Sequence, residues 1–137
     1  MTSRYLNLFL LTVCSITLSF GQDITYSGEF DADSFFTTFE GSWEIVSSEN
    51  GSTLIFKDDF EAKKAPDLKI FLSSIPFNDI NAKNAADPDA TVLISLLKKY
   101  KGRMEFSIPS TVDLSEFKSL IVHCEKYTKL WGGSSLQ

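Results

Sequence analysis

Short runs in which apolar and polar residues alternate recur along the chain, and this period-two pattern predicts β-strands. The clearest predicted strands are residues 42–48, 52–58, 68–72, 91–97, 104–108 and 119–124. Residues 91–97 also fit one face of a helix, although the strand is favoured. Another short strand is expected around residues 26–30, and Leu130-Trp131 is expected to close the domain before Gly132-Gly133. The pattern predicts an all-β fold, an antiparallel β-sandwich or open barrel of about 7–9 short strands.

The dipeptide Asn50-Gly51 predicts a tight hairpin between the first two of these strands. A two-residue type I′ turn needs positive φ at both central positions, and Asn followed by Gly is the preferred pair. Folding the chain at this point predicts three facing pairs: Ile45 with Phe56, Val46 with Ile55, and Glu44 with Lys57.

Two other segments are expected to lie around the core. Residues 73–90 form a long stretch rich in Pro, Asn and Asp, which predicts a loop that is functional or variable. Phe35, Phe36 and Phe39 are expected to pack at the edge of the core.

The N-terminus has the layout of a secretory signal peptide. Arg4 precedes an uncharged apolar run over residues 6–20, and small residues at Ser19 and Gly21 fit cleavage after Gly21. The run is shorter than the roughly 20 residues of a membrane span, although a retained N-terminal anchor is the alternative. We therefore predict a signal peptide at 1–21, an extension at 22–40 that packs on the domain, and the main domain at 41–137. The mature protein is expected to be exported (periplasmic, cell-surface or secreted) without a membrane span.

The charge and the missing motifs narrow the function classes. The chain carries 13 Lys and Arg against 18 Asp and Glu, a net charge of -5, and loss of Arg4 with the leader makes it -6. An acidic domain repels phosphate backbones, so a nucleic-acid partner is not expected. There is no G-x-S-x-G motif or glycine-rich phosphate loop, and one His and one mature Cys with scattered acids are too few for a recognisable zinc site. We predict neither a catalytic residue nor a metal ligand, and an enzyme is the less favoured class.

The cysteine count provides the best candidate for chemistry. Cys14 falls in the leader, so Cys124 remains alone and an intramolecular disulfide is impossible. Alternation along residues 119–124 places Cys124 on the same face as Leu120 and Val122, the expected core side, and places His123 on the other face, as a solvated strand residue. Cys124 is then either a small buried hydrophobe or a redox thiol or soft ligand near Tyr127 and Trp131.

The order of several segments resembles the DM-thirteen domain family, an electron-transfer domain of extracellular and cell-surface proteins. The segments are 41–45 (GSWEI), 54–60 (LIFKDDF), 65–73 (APDLKIFLS), 106–109 (FSIP), 119–124 (SLIVHC) and Trp131-Gly132. The resemblance runs from about Gly41 to Leu136. It departs from the family at His123, where an aromatic residue commonly precedes the cysteine.

The resemblance implies a β-sandwich in which Cys124 is the characteristic cysteine, acting as a bare redox thiol or holding a prosthetic group such as haem. His123, Tyr127, Trp131, Pro66 and Asp67 are the neighbours of possible relevance, and Asp67 is expected to set a turn by accepting from nearby backbone N–H groups. Two hypotheses follow. The first is an exported redox accessory domain that uses Cys124 with an unknown redox partner. The second is a non-catalytic binding or structural domain in which Cys124 is only core packing.

Overall fold

The computed structural model describes residues 23–136 as an antiparallel β-sandwich, which confirms the predicted fold class. The described strands are β1 (Asp23–Glu29), β2 (Asp31–Ala32), β3 (Phe39–Glu40), β4 (Ser42–Ser48), β5 (Gly51–Phe56), β6 (Glu61–Ala62), β7 (Leu68–Ser73), β8 (Thr91–Leu96), β9 (Met104–Ile108), β10 (Ser119–Cys124) and β11 (Lys129–Ser135). Two 3-10 turns lie at Phe77–Asp79 and Leu114–Glu116. Within residues 23–136 no helix is long and apolar enough to cross a membrane. The predicted signal peptide lies outside the described residues.

The strands form two main sheets. The first has the order β1-β4-β5-β9 and the second the order β2-β11-β10-β7-β8, and a small β3-β6 pair lies beside them. Every described pairing is antiparallel. Alternation turns apolar side chains of both sheets toward one shared core. Its fully buried members include Trp43, Ile45, Leu54, Phe56, Ile70, Leu72, Leu120 and Val122.

The predicted register of the β4–β5 hairpin is wrong by two residues. Ile45 lies opposite Leu54, and Ser48 lies opposite Gly51. Among the turn residues only Gly51 has positive φ, at 127°. Glu49 and Asn50 therefore form the turn, and Gly51 is already the first residue of β5. An even shift leaves every side chain on its predicted face, because strand periodicity is two.

The predicted ion pair of this hairpin survives the change of register. Lys57 Nζ lies 3.0 Å from Glu44 Oε2, although Glu44 now faces Ile55 directly. The pair is diagonal across the strands, which remains within reach of long side chains.

Two of the three early phenylalanines do not pack as predicted. Phe39 is buried and its ring centroid lies 4.8 Å from that of Phe30, but Phe35 and Phe36 are almost fully exposed. A tight turn, in which Thr37 N–H donates to Ser34 O, buries Thr37 and directs the two phenyl rings outward.

The domain does not close before Gly132-Gly133, because β11 continues through both glycines to Ser135. Gly132 pairs with Ala32 of β2 on one side and Val122 of β10 on the other. Glycine within a strand marks a point where other atoms approach the backbone closely. Here the Asp31 carbonyl oxygen and the Phe39 ring occupy the space that a side chain on Gly132 would need.

Candidate functional site

Cys124 is the last residue of β10 and is enclosed by the core. It lies between Leu68 of β7 and Lys129 of β11 in the second sheet. Its side chain belongs to the same buried cluster as Leu120 and Val122, which confirms the predicted inward face. Its solvent-exposed fraction is 0%, so no reagent can reach the sulfur while the fold is closed. It is the one free cysteine among the described residues.

The chain leaves the core immediately after Cys124. Residues 125–128 are all exposed and form the turn between β10 and β11, in which Thr128 N–H donates to Glu125 O at 3.1 Å. Thr128 has φ of 48°, the left-handed conformation that reverses the chain. Tyr127 is exposed, and Lys126 Nζ lies 5.9 Å from its ring centroid. The predicted neighbour Tyr127 therefore lies on the surface of this turn and not against the sulfur.

Asp67 anchors the 125–128 turn from the start of β7. Its carboxylate Oδ2 accepts from Lys126 N–H at 3.1 Å, and its carbonyl oxygen accepts from Glu125 N–H at 3.3 Å. Asp67 thus accepts backbone hydrogen bonds as expected, but from donors almost sixty residues further along the chain. Pro66, which precedes it, is exposed in its own turn.

Lys69 and Glu125 lie beside Asp67 at this turn, and the sequence did not predict a role for either residue. The Lys69 ammonium forms an ion pair with the Glu125 carboxylate and lies 3.6 Å from Asp67 Oδ1. The hydrogen bond to Glu125 raises the pKa of Lys69 above its usual range. The available signal was the position of Lys69, which interrupts an apolar strand at an outward-facing position beside His123.

The predicted solvent exposure of His123 is wrong, because only 2% of it is exposed. The long 73–90 segment folds over the outer face of the second sheet, where Ala85 packs against Ile121 and Phe71. The Ala82 carbonyl oxygen lies 3.2 Å from His123 Nε2, while Nδ1 is buried without a partner. Burial lowers the pKa of His123 below its ordinary value of 6.5, and the Ala82 hydrogen bond opposes this only in part.

His123 should make the domain less stable in weak acid. A pKa that is lower in the folded than in the unfolded state means that the unfolded chain binds more protons below about pH 6.5. The free energy of unfolding is therefore expected to fall as the pH drops from 7 through 6.5, until His123 protonates in the folded state too. Urea unfolding at several pH values measures this. His123→Leu, which removes the titrating group at similar volume, should flatten the curve between pH 7 and 5, and an unchanged slope would contradict the assignment.

Trp131 shares the buried cluster of Cys124. Its indole Nε1–H donates to Lys63 O at 3.1 Å, and Lys129 Nζ lies 5.2 Å from its ring centroid. The side chain therefore connects β11 to the segment that leads into Pro66 and Asp67. Of the predicted residues, Trp131 lies in the core with Cys124, Asp67 holds the turn beside them, and His123 lies on the opposite face of the sheet.

A haem ligated by Cys124 does not fit this site. A macrocycle needs open space at the sulfur, and core side chains fill that space. A cavity of about 260 Å³ opens nearby at the start of β7. Its lining includes Pro66, Asp67, Leu68 and Tyr100 but not Cys124. Within residues 23–136 no group of three or more His, Cys, Asp or Glu side chains is placed to hold a metal ion.

The sequence profile of the family described as Electron transfer DM13 matches residues 29–136. The chain belongs to this DM13 family. The match covers most of the chain and begins within the 22–40 segment, where Phe30 is already part of the buried core. No curated protein and no solved structure matches the chain. The match includes Cys124 and the 125–128 turn, so the buried thiol lies within the DM13 domain.

Proposed function

We propose that this protein is an exported electron-transfer accessory domain in which Cys124 is a protected redox thiol. The observation that carries the proposal is the position of Cys124 in a DM13 domain. It is the one free thiol of residues 23–136, it ends a core strand, and the next residue begins an exposed turn. The signal-like segment at 1–21 supports export. Exported compartments are oxidising, so an unprotected thiol would be oxidised there.

The proposed reaction requires a local opening of the 125–128 turn. Surface turns open at lower free energy than the core strands to which they are attached. Once the turn has moved, Cys124 gives its proton to water and the thiolate attacks the disulfide of a redox partner. A bond forms between the Cys124 sulfur and one partner sulfur, the partner's S–S bond breaks, and its second sulfur leaves as a thiolate.

Weakening the anchor of the turn should accelerate this reaction. Asp67→Ala removes a charge-assisted hydrogen bond to Lys126 N–H, a loss of about 1.5 kcal/mol, which corresponds to about a tenfold larger population of the open turn and a reaction faster by the same factor. Mass spectrometry of the mixed disulfide formed with oxidised glutathione measures the rate.

The matched control is Asp113→Ala, which removes the same kind of cap from a distant turn, where Asp113 Oδ1 accepts from Ser115 N–H at 3.0 Å. We expect this variant to react at a rate close to that of the unaltered protein. Equal acceleration by both variants would show that only global unfolding exposes Cys124, and the proposal would be wrong.

The second candidate is a non-catalytic binding domain in which Cys124 is only core packing. The complete burial of Cys124 among apolar side chains favours it. The same experiment separates the two candidates, because a packing residue reacts with glutathione only as fast as the whole domain unfolds.

A further inference from the structure

The outer edge of the second sheet is unpaired within the described residues. β8 is the last strand of that sheet, and within the described residues no strand pairs with its free side. Its six residues include no charged side chain, and Leu93 and Leu96 are 49% and 45% exposed. Edge strands usually carry charges or prolines that prevent pairing with another chain. An open apolar edge of this kind is a surface to which a further strand can be added.

The charges that flank β8 are arranged symmetrically about its centre. Asp89 stands two residues before Thr91, the first residue of the strand, and Lys98 stands two residues after Leu96, the last. Asp87 and Lys99 carry the same charges further out, four residues before Thr91 and three residues after Leu96. None of these four charged side chains forms an ion pair within residues 23–136.

Such a pattern is self-complementary. When two copies of one strand pair antiparallel about a two-fold axis, the beginning of each lies beside the end of the other. An axis between Leu93 and Ile94 would place Asp89 of each copy opposite Lys98 of the other. We propose that β8 pairs with β8 of a second copy of this chain, which forms a symmetric dimer with one continuous sheet across it.

Other features of the structure agree with this pairing. Lys98 and Lys99 line an open cavity of about 490 Å³ beside β8, so the acidic turn of the second copy has space near the two ammonium groups. β8 has a bulge at Ile94, close to the proposed axis, so the new pairing is expected over the short segments before and after this residue. Each copy uses up its free β8 edge, so the pairing closes as a dimer instead of growing into a fibre. The interface does not involve Cys124 and stands apart from the proposed function.

An acidic peptide from another protein is the competing occupant of the β8 edge. Lys98 and Lys99 would suit its carboxylates, but Asp87 and Asp89 at the other end of β8 would repel them. The second copy uses both ends of the strand, so it is the favoured occupant.

Sedimentation velocity over a wide range of protein concentrations, with reductant present to exclude a disulfide between copies, tests the proposal. We expect a monomer–dimer equilibrium. Leu93→Lys, at a position that is 49% exposed, should weaken it by about tenfold or more. A protein that stays monomeric at every concentration, or a dimer that Leu93→Lys leaves unchanged, would overturn the proposal.

Charge reversal identifies the register. Asp89→Lys alone and Lys98→Asp alone each place like charges opposite one another and should both weaken the dimer. Mixing the two variants restores opposite charges at both contacts, as does combining the substitutions in one chain, so both preparations should dimerise again. If neither preparation recovers, the proposed pairing of Asp89 with Lys98 is wrong.

Discussion

Replacing Trp131 by alanine should lower the free energy of unfolding by about 3–5 kcal/mol, the usual cost of removing a large buried aromatic side chain. The indole packs in the same cluster as Cys124 and its Nε1–H donates to the Lys63 carbonyl oxygen. A domain of this size is stabilised by about 5–15 kcal/mol in total, so the variant should unfold at much lower urea concentration. Equilibrium urea unfolding followed by far-ultraviolet circular dichroism measures the loss.

Trp131→Phe is the matched control for this prediction. It retains an aromatic ring in the core but loses the hydrogen bond to Lys63 O, and should cost only about 1–2 kcal/mol. Equal losses in both variants would mean that the hydrogen bond, and not burial of the ring, accounts for the contribution of Trp131. A loss below about 1 kcal/mol for Trp131→Ala would contradict its place in the core.

Gly132→Ala should destabilise the domain by about 2–3 kcal/mol, because the added Cβ would overlap the Asp31 carbonyl oxygen and the Phe39 ring. The overlap forces β2 away from β11, so the pairing of Asp31 and Ala32 with this strand should be lost as well. Urea unfolding gives the free energy, and amide hydrogen exchange at Ala32 reports the separation of the strands.

Gly102→Ala is the control for backbone effects. No atom lies within 4 Å of the added Cβ, and the cost comes only from a left-handed φ of 83°, about 1 kcal/mol. If Gly132→Ala were as mild as Gly102→Ala, the close approach of β2 to β11 would be contradicted.

Strand positions followed from the sequence because alternation is a local signal. The predicted 42–48, 104–108 and 119–124 strands agree with the observed bounds of β4, β9 and β10. The inward face of Cys124 followed from the same alternation. The hairpin register did not follow, since Asn50-Gly51 predicts a turn at these two residues and the turn lies at Glu49 and Asn50. Both registers place the same residues in the core, because they differ by an even number.

The errors arose where distant segments decide the environment of a residue. His123 looks exposed in its strand, and only the 73–90 segment, about forty residues away, buries it. Asp67 finds its donor at Lys126, and Gly132-Gly133 resembles the end of a domain until β2 and Phe39 are placed beside it. No period or motif in the sequence records such contacts.

The rate at which a maleimide labels Cys124, measured by mass spectrometry across urea concentrations below the unfolding transition, tests the central claim most directly. If Cys124 is buried and becomes accessible only when the 125–128 turn opens, labelling in the native state should be slow. We also expect an opening free energy smaller than that of global unfolding and only weakly dependent on urea, because a local opening exposes little surface. Two results would contradict this account: immediate labelling, or an opening free energy and urea dependence equal to those of global unfolding.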